Sequence, residues 1–187
     1  SEMCIRDRSI VDAANPAVFV RAEDVGLKGT ELPNQIEKKT LERLESIRSK
    51  AAEICGLVER AEEATVKSPH FPFIAVVSDK KDYVTLLGKM VRKDDYTLLA
   101  RLFSLQQMHH AYPVTGAICT ASAAKIPGTI VSEVVEDRGE LILIGHPKGI
   151  MDVRIKTKHV DGETVIENVI VGRTARKLMS GIAYYLG

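Results

Sequence analysis

One stretch of the sequence, Thr115–Ile126 (TGAICTASAAKI), is small and apolar almost all round and carries a single charge, on Lys125. A helix of this composition has no face suited to water, so the pattern is typical of a helix buried on several sides. Pro127-Gly128 ends the helix, because proline cannot continue it. The stretch therefore predicts a central helix wrapped by a sheet.

A second helix is predicted over Leu41–Val58, where apolar residues recur at helical spacing and Glu and Arg fill the opposite face. Thr40 is its predicted amino-terminal cap. We expect this amphipathic helix at the periphery of the fold.

Strand-like runs separated by turn signals occupy most of the remaining chain. The runs are Ala17–Val20, Phe71–Ser78, Asp82–Leu87, Tyr96–Leu105, Thr129–Val135, Leu141–Gly145, Ile150–Lys158 and Thr164–Val171, with Ile182–Leu186 as a candidate closing strand. Phe71–Ser78 and Asp82–Leu87 are interpreted as a hairpin or as two successive strands of one sheet. The apolar run Tyr96–Leu105 fits both the helical and the strand period, and a strand is preferred. Two helices among about eight strands predict an α+β lobe in which a curved, mostly antiparallel sheet surrounds one buried helix.

The composition excludes several functional classes. The 26 Lys and Arg residues balance 25 Asp and Glu, and a net charge of +1 gives no general attraction to nucleic acid or to a membrane surface. The cysteines Cys4, Cys55 and Cys119 are too scattered for a disulfide framework or a zinc site. With no secretory signal or apolar span in the sequence, we expect a cytoplasmic protein.

The first residues, Ser1–Arg8, show no periodicity and are interpreted as an artefactual or disordered leader. A strand-like run begins abruptly at Ser9. We therefore expect one lobe over residues 9–187, from a reading frame truncated at its front.

The segment Met108–Gly116 leads directly into the buried helix. The first amide N–H groups of a helix lack internal partners and its dipole is positive there, so this end can hold a carboxylate without a basic surface. Thr115 supplies a hydroxyl and Gly116 gives close access to the backbone. The alternative is that Thr115 only caps the helix and Gly116 only makes room for packing.

His109 and His110 are adjacent, so on an extended chain their side chains point to opposite faces and at most one is expected to be functional. A histidine near a substrate carboxylate can donate a hydrogen bond or act as a general acid. The alternative is one imidazole in solvent and the other bonded to the backbone. Cys119 is more typical of a small buried hydrophobe than of a nucleophile.

Two further motifs have structural interpretations. Gly145–Gly149 lies between strands and lacks the strand–loop–helix context of a phosphate-binding loop, so we expect it to shape a hairpin. The basic residues Arg173, Arg176 and Lys177 are interpreted as a solvated face.

Five motifs occur together in one order: Asp12–Val20, Met108–Ala117, Ile126–Thr129, Ile144–Pro147 and Arg173–Arg176. Together they resemble the second half of the PrpF family, which includes methylaconitate cis-trans isomerase, methylitaconate isomerase and oxalomesaconate tautomerase. The resemblance runs from Ser9 to the end of the chain. It implies a diaminopimelate-epimerase-like fold of two similar lobes, with the substrate between the amino termini of their central helices.

The resemblance also suggests site residues. Asn15 matches the Asn-Pro turn that contacts substrate in such epimerases, and Thr115-Gly116 matches the end of the loop that opens their second-lobe helix. Pro113 stands about where an amino-acid epimerase carries its second-lobe cysteine, which disfavours racemisation by two cysteines. The family's base is usually a lysine of the other lobe, so the catalytic residues of this chain are unknown.

The leading hypothesis is a cofactor-independent isomerase or tautomerase that moves a proton and a double bond in an unsaturated di- or tricarboxylic acid. Asn15, His109, Thr115 and Gly116 are its expected carboxylate-binding residues, and no metal or organic cofactor is implied. The expected partners are a polycarboxylate substrate and a missing amino-terminal lobe, without nucleic acid or membrane, and this half alone is expected to be inactive. The alternatives are a non-catalytic lobe that binds a carboxylate or a partner, and an amino-acid epimerase of the same fold.

Overall fold

The computed structural model describes residues 8–136, 139–172, 177–182 and 184. In chain order the elements are β1 (Arg8–Ala13), β2 (Asn15–Arg21), α1 (Lys38–Ile54), α2 (Ala64–Lys67), β3 (Phe73–Ser78), β4 (Tyr83–Val84), β5 (Met90–Val91), β6 (Leu98–Ser104), β7 (Gln107–Met108), α3 (Val114–Lys125), α4 (Ile130–Val134), β8 (Leu141–His146), β9 (Gly149–Val160) and β10 (Glu163–Val171).

Eight strands form one sheet in the order β1-β2-β3-β6-β8-β9-β10, with β7 paired to β6. The pairs β2–β3 and β6–β8 are parallel, and the other five pairs are antiparallel. Each parallel pair requires a long crossover connection. The first crossover contains α1 and α2, and the second contains α3 and α4.

The two crossovers pack on opposite faces of the sheet. This is seen from the strands, in which successive side chains point to opposite faces. In β3, Ala75 and Val77 belong to the core around α3, whereas Ile74 and Val76 pack with α1. The predicted peripheral amphipathic helix is therefore α1.

Helix α3 is the predicted central helix. Most of its residues from Gly116 to Ala124 are buried, and it contacts β1 and β2 near one edge of the sheet and β9 and β10 at the other. A sheet that reaches one helix from both edges must curl around it, and the small side chains of α3 permit this close approach. The predicted α+β lobe with a curved sheet around a central helix is confirmed.

Several predictions about single elements were wrong. Thr129–Val135 is not a strand, because Thr129 caps the short helix α4 by accepting a hydrogen bond from the Ser132 N–H. Residues 83–84 do not join the main sheet but pair with β5 in a separate two-stranded sheet. Thr40 lies inside the first turn of α1, whose cap is Glu37.

The ends of the chain bear on two further predictions. Strand β1 begins at Arg8, the last residue of the predicted leader. Ile182 lies in no strand of the described chain, while Leu186 and Arg173–Arg176 fall outside the described residues. Across the part of the chain that the structure describes, no helix combines the length and apolar character needed to cross a membrane.

Candidate functional site

Strand register brings distant segments to one end of the curved sheet. Ala17 of β2 pairs with Phe73 of β3, and Ile74 pairs with Phe103 of β6. The Asn15 turn, the segment before β3 and the end of β6 therefore lie at the same end. Because β8 runs parallel to β6, the turn between β8 and β9 also lies there.

The amino end of α3 lies at this same end. A Cβ atom added to Gly116 would come within 2.5 Å of a Leu102 methyl carbon, so the first turn of the helix lies directly against β6. The alternative interpretation of Gly116 as a packing residue is thus seen in the structure. Its backbone N–H still belongs to the helix end.

Among the residues that the structure describes, no side chain caps this helix. Its N-cap is Pro113, in an extended conformation, and the first amide bonded back is Ala117, which donates to the Pro113 carbonyl at 2.8 Å. Within the described chain, the N–H groups of Val114, Thr115 and Gly116 have no hydrogen-bond partner. Three amides at the positive end of the helix dipole are a suitable site for an anion. We call Pro113–Gly116 the uncapped helix end.

Thr115 is half-buried one residue inside the helix, and it is not the cap. Within the described residues its hydroxyl has no hydrogen-bond partner, and neither has the side chain of Asn15. Asn15 is the first residue of β2 and follows Ala14, whose φ of 68° makes the tight reversal between β1 and β2. Both polar groups are thus available to a ligand.

A groove of about 630 Å³ adjoins the uncapped helix end. Its lining includes three histidines, so we call it the imidazole groove; the lining residues are His70, Phe71, Phe73, Ser104, Leu105, Gln107, Met108, His109, His110, Ala111 and Pro113. Pro113 joins the groove to the helix end. Of the four predicted site residues, His109 lines the groove, and the described positions of Asn15, Thr115 and Gly116 lie outside its lining.

Both His109 and His110 line the groove, and the expectation that at most one of them is functional stays a prediction. The chain leaves the extended conformation after β7 and bends at His110, which removes the alternation of a strand. Burial is the main reason why the pKa of His109 lies below its usual value, and His110 lowers it further. A neutral His109 can still donate one hydrogen bond to a carboxylate.

Buried polar contacts hold α3 in place behind the site. The Thr120 hydroxyl donates to the Gly116 carbonyl at 2.8 Å and lies 2.9 Å from the hydroxyl of Tyr112. The Cys119 thiol donates to the Val11 carbonyl at 3.3 Å, and burial raises the pKa of Cys119 to about 12. Such a thiol is not a nucleophile, in agreement with its interpretation as a buried hydrophobe.

The turn between β8 and β9 is the predicted hairpin, with His146 paired to Gly149. His146 is buried, and its Nδ1 accepts a hydrogen bond from the Lys148 N–H at 3.2 Å. Burial, followed by the nearby cations Arg101 and Lys148, lowers the pKa of His146 to about 4. His146 is therefore a neutral structural residue at the pH of the cell.

Sequence reasoning missed one wall of the groove, formed by His70, Phe71 and Phe73. The rings of Phe71 and Phe73 meet edge to face at 5.1 Å, and Phe73 meets the His109 ring at 6.5 Å. Phe71 and Phe73 read as the start of a strand, so nothing in the local pattern marked them as site residues. Among the described residues, no group of three or more His, Cys, Asp or Glu side chains is placed to hold a metal.

A curved sheet around a central helix, with a groove at the uncapped end of that helix, defines a lobe of the diaminopimelate-epimerase-like class. The crystal structure of a methylitaconate-delta-isomerase has a similar backbone fold: it superposes with a TM-score of 0.79 at 40% identity, over 89% of this chain and 45% of that one. The family model described as PrpF protein matches residues 4–186, and the chain belongs to this family.

Two curated relatives give the same family. The chain is 43% identical over 183 residues to a 3-methylitaconate isomerase of Eubacterium barkeri, covering 95% of the chain and 47% of the relative. It is 36% identical over 176 residues to a 2-methyl-aconitate isomerase of Shewanella oneidensis, covering 92% and 44%. The chain thus spans less than half the length of these relatives.

Proposed function

We propose that this chain is the carboxy-terminal, substrate-binding lobe of an isomerase that moves a proton and a double bond in an unsaturated di- or tricarboxylic acid. The observation that carries the proposal is the uncapped helix end, where three backbone amides without partners in the described chain adjoin a groove of ligand size. The names of the relatives support a substrate of the methylitaconate or methylaconitate type.

The groups at this end of the sheet suit a substrate carboxylate. The amides of the helix end and the Thr115 hydroxyl donate to its oxygens, and the Asn15 side chain and His109 supply further donors. When an allylic proton is removed, negative charge spreads from the carbanion into the adjacent carboxylate. Donors already fixed in position stabilise that dienolate more than the ground state, and this lowers the barrier to proton transfer.

The base that removes the proton belongs, in this proposal, to the other lobe. Among the described lining residues of the imidazole groove there is no Lys, Asp, Glu or Cys, and the buried Cys119 thiol is unreactive. The reaction then needs only proton transfers, without cofactor or metal, in a cytoplasmic enzyme. The same base returns the proton to another carbon of the dienolate, which shifts the double bond.

A non-catalytic carboxylate-binding lobe is the second candidate, because the chain spans less than half of its relatives and the described lining of its groove contains no Lys, Asp, Glu or Cys. An amino-acid epimerase fits less well, since Pro113 occupies the helix cap where a second-lobe cysteine base is expected.

The experiment uses the full-length protein, meaning this chain joined to the other half that its relatives carry. Methylitaconate and methylaconitate are incubated with it in D2O, and proton NMR follows deuterium entry and movement of the double bond. We expect both for at least one of these acids, and neither with the 187-residue chain alone. Turnover by the chain alone would contradict the location of the base, and an inert full-length protein would contradict the isomerase.

A further inference from the structure

The missed wall of the imidazole groove is held from the far side of the sheet. The guanidinium of Arg48 on α1 is only 1% exposed. Its Nη1 donates to the carbonyls of Ser68 and Phe71 at 2.8 and 3.0 Å, and its Nε and Nη2 bind the Glu45 carboxylate at 2.8 and 2.6 Å. One buried cation thus fixes both ends of the Ser68–Phe71 segment.

Several contacts make this anchor rigid. The Ser68 hydroxyl also donates to the Phe71 carbonyl at 2.8 Å, and the Thr65 hydroxyl donates to Glu45 at 2.7 Å. The planar guanidinium binds the Glu45 carboxylate through two of its nitrogens and the two backbone carbonyls through the third. This geometry leaves the Ser68–Phe71 segment little conformational freedom. The position of His70 and Phe71 beside the groove is therefore set by α1, which has no contact with the groove itself.

The wall carries a polar and an apolar part. The His70 ring lies 6.4 Å from the Phe71 ring, and the contacts continue through Phe73 to His109. Imidazoles from two distant segments are thus linked by two phenyl rings within one groove. Its volume of about 630 Å³ lies within the range of roughly 300–1,000 Å³ typical of small-molecule sites.

We propose that His70, Phe71 and Phe73 form a second subsite of the imidazole groove, in which His70 binds a ligand carboxylate remote from the uncapped helix end, the phenyl rings hold the carbon skeleton, and Arg48 positions the wall. The proposal rests on the proposed function, because it assigns a second carboxylate of the same polycarboxylic acid. An acid with carboxylates at both ends of an unsaturated, alkyl-substituted chain matches this order of polar and apolar groups. A monocarboxylic acid bound at the uncapped helix end has no second carboxylate to bind to His70.

The test is steady-state kinetics of the full-length protein with methylitaconate. His70→Phe keeps a ring and removes both nitrogens, and we expect it to raise KM roughly tenfold with kcat unchanged. Arg48→Lys keeps the charge beside Glu45 but cannot serve both carbonyls, and a smaller rise in KM is expected. Lys50→Met, on the same helix at an exposed ion pair with Glu53, is the control and should leave both constants unchanged.

The double variant separates positioning from general stability. If Arg48 acts through His70, the double variant Arg48→Lys/His70→Phe raises KM no more than His70→Phe alone. Multiplying effects, or a fall in kcat parallel to a fall in melting temperature, would overturn the positioning role. An unchanged KM in His70→Phe would overturn the subsite.

Failure of the proposed function is distinguishable from failure of the subsite. If the wild-type protein is inert toward both acids, the isomerase proposal falls, and tricarballylate then serves as the probe. Its titration should shift the imidazole NMR signals of His70 and His109, whereas acetate should shift His109 alone. A His70 signal that tricarballylate does not move would overturn the subsite independently of any turnover.

Discussion

The two helices of the second crossover begin in opposite ways. At the start of α4, the Thr129 hydroxyl accepts from the Ser132 N–H at 3.0 Å and the Ser9 hydroxyl accepts from the Ile130 N–H at 2.9 Å. At the start of α3, Pro113 offers no side-chain acceptor. The first amides of the shorter helix α4 are hydrogen-bonded by hydroxyls of the same chain. The longer, central helix α3 has three amides without partners in the described structure.

The difference shows which helix end serves folding and which serves a ligand. Buried amide N–H groups without hydrogen-bond partners lower the stability of the fold. At the start of α4, where no ligand is expected, hydroxyl groups of the chain therefore accept from these amides. The amides of α3 adjoin the imidazole groove, where solvent or a carboxylate can satisfy them. Substitutions at the two ends should therefore affect different properties, stability at α4 and ligand affinity at α3.

The largest expected effect on stability concerns His146, in the scaffold behind the uncapped helix end. Its pKa of about 4 in the folded protein lies below the ordinary 6.5, so between these values the unfolded chain binds a proton that the folded chain does not. Stability should fall by about 3 kcal/mol as the pH drops from 7 to 4 on this account. Urea unfolding of the wild type and of His146→Gln at both pH values measures it.

In the variant this acid-sensitive part should disappear, because glutamine does not titrate. If the wild type and His146→Gln lose the same free energy of unfolding between pH 7 and pH 4, burial of a neutral His146 is not what makes this region acid-sensitive.

A smaller effect is expected at Thr120, which joins the Tyr112 hydroxyl to the Gly116 carbonyl. Thr120→Val leaves the buried Tyr112 hydroxyl without its partner and should cost about 1–3 kcal/mol of unfolding free energy. Ser122→Ala on the same helix is the matched control, since the buried Ser122 hydroxyl has no partner among the described residues. It should be neutral or slightly stabilising, and equal losses in both variants would show that the Tyr112–Thr120 contact contributes nothing.

The smallest expected change in stability is at the cap of α4. Thr129→Ala removes the cap and should lower the free energy of unfolding by about 1 kcal/mol, within a usual range of roughly 0.5–2. The KM of the full-length protein for methylitaconate should not change. A change in KM at Thr129 would remove the functional contrast between the two helix ends.

Composition and periodicity were sufficient for the framework of the fold. A helix with no polar face has only one environment in a folded protein, so α3 could be placed at the centre of a sheet from its sequence alone. The runs that became β6, β8, β9 and β10 alternate or remain apolar as buried strands do. Thr129–Val135 misled because Ile and Val favour strands locally, and the Thr129 cap and burial outweigh that preference.

The same sequence reasoning predicted only one of the two parts of the candidate site. The helix end after Met108 was predicted as a carboxylate site, since its first amides have no possible partner within the helix, but the sequence left open whether Thr115 caps it. The His70–Phe73 wall was not predicted, because it reaches the groove through parallel pairing of β2 with β3 and through Arg48 on another element. Contacts between such distant segments leave no periodic trace.

The comparison of the two helix ends is tested most directly by measuring Thr115→Val and Thr129→Val side by side in the full-length protein. Calorimetric titration with tricarballylate gives the dissociation constant, and thermal unfolding gives the melting temperature. Thr115→Val should weaken binding roughly ten- to a hundredfold, the value of a hydrogen bond to a charged group, with an unchanged melting temperature. Thr129→Val should lower the melting temperature and leave the dissociation constant unchanged. An unaltered dissociation constant in Thr115→Val would contradict the assignment of the uncapped helix end to a substrate carboxylate.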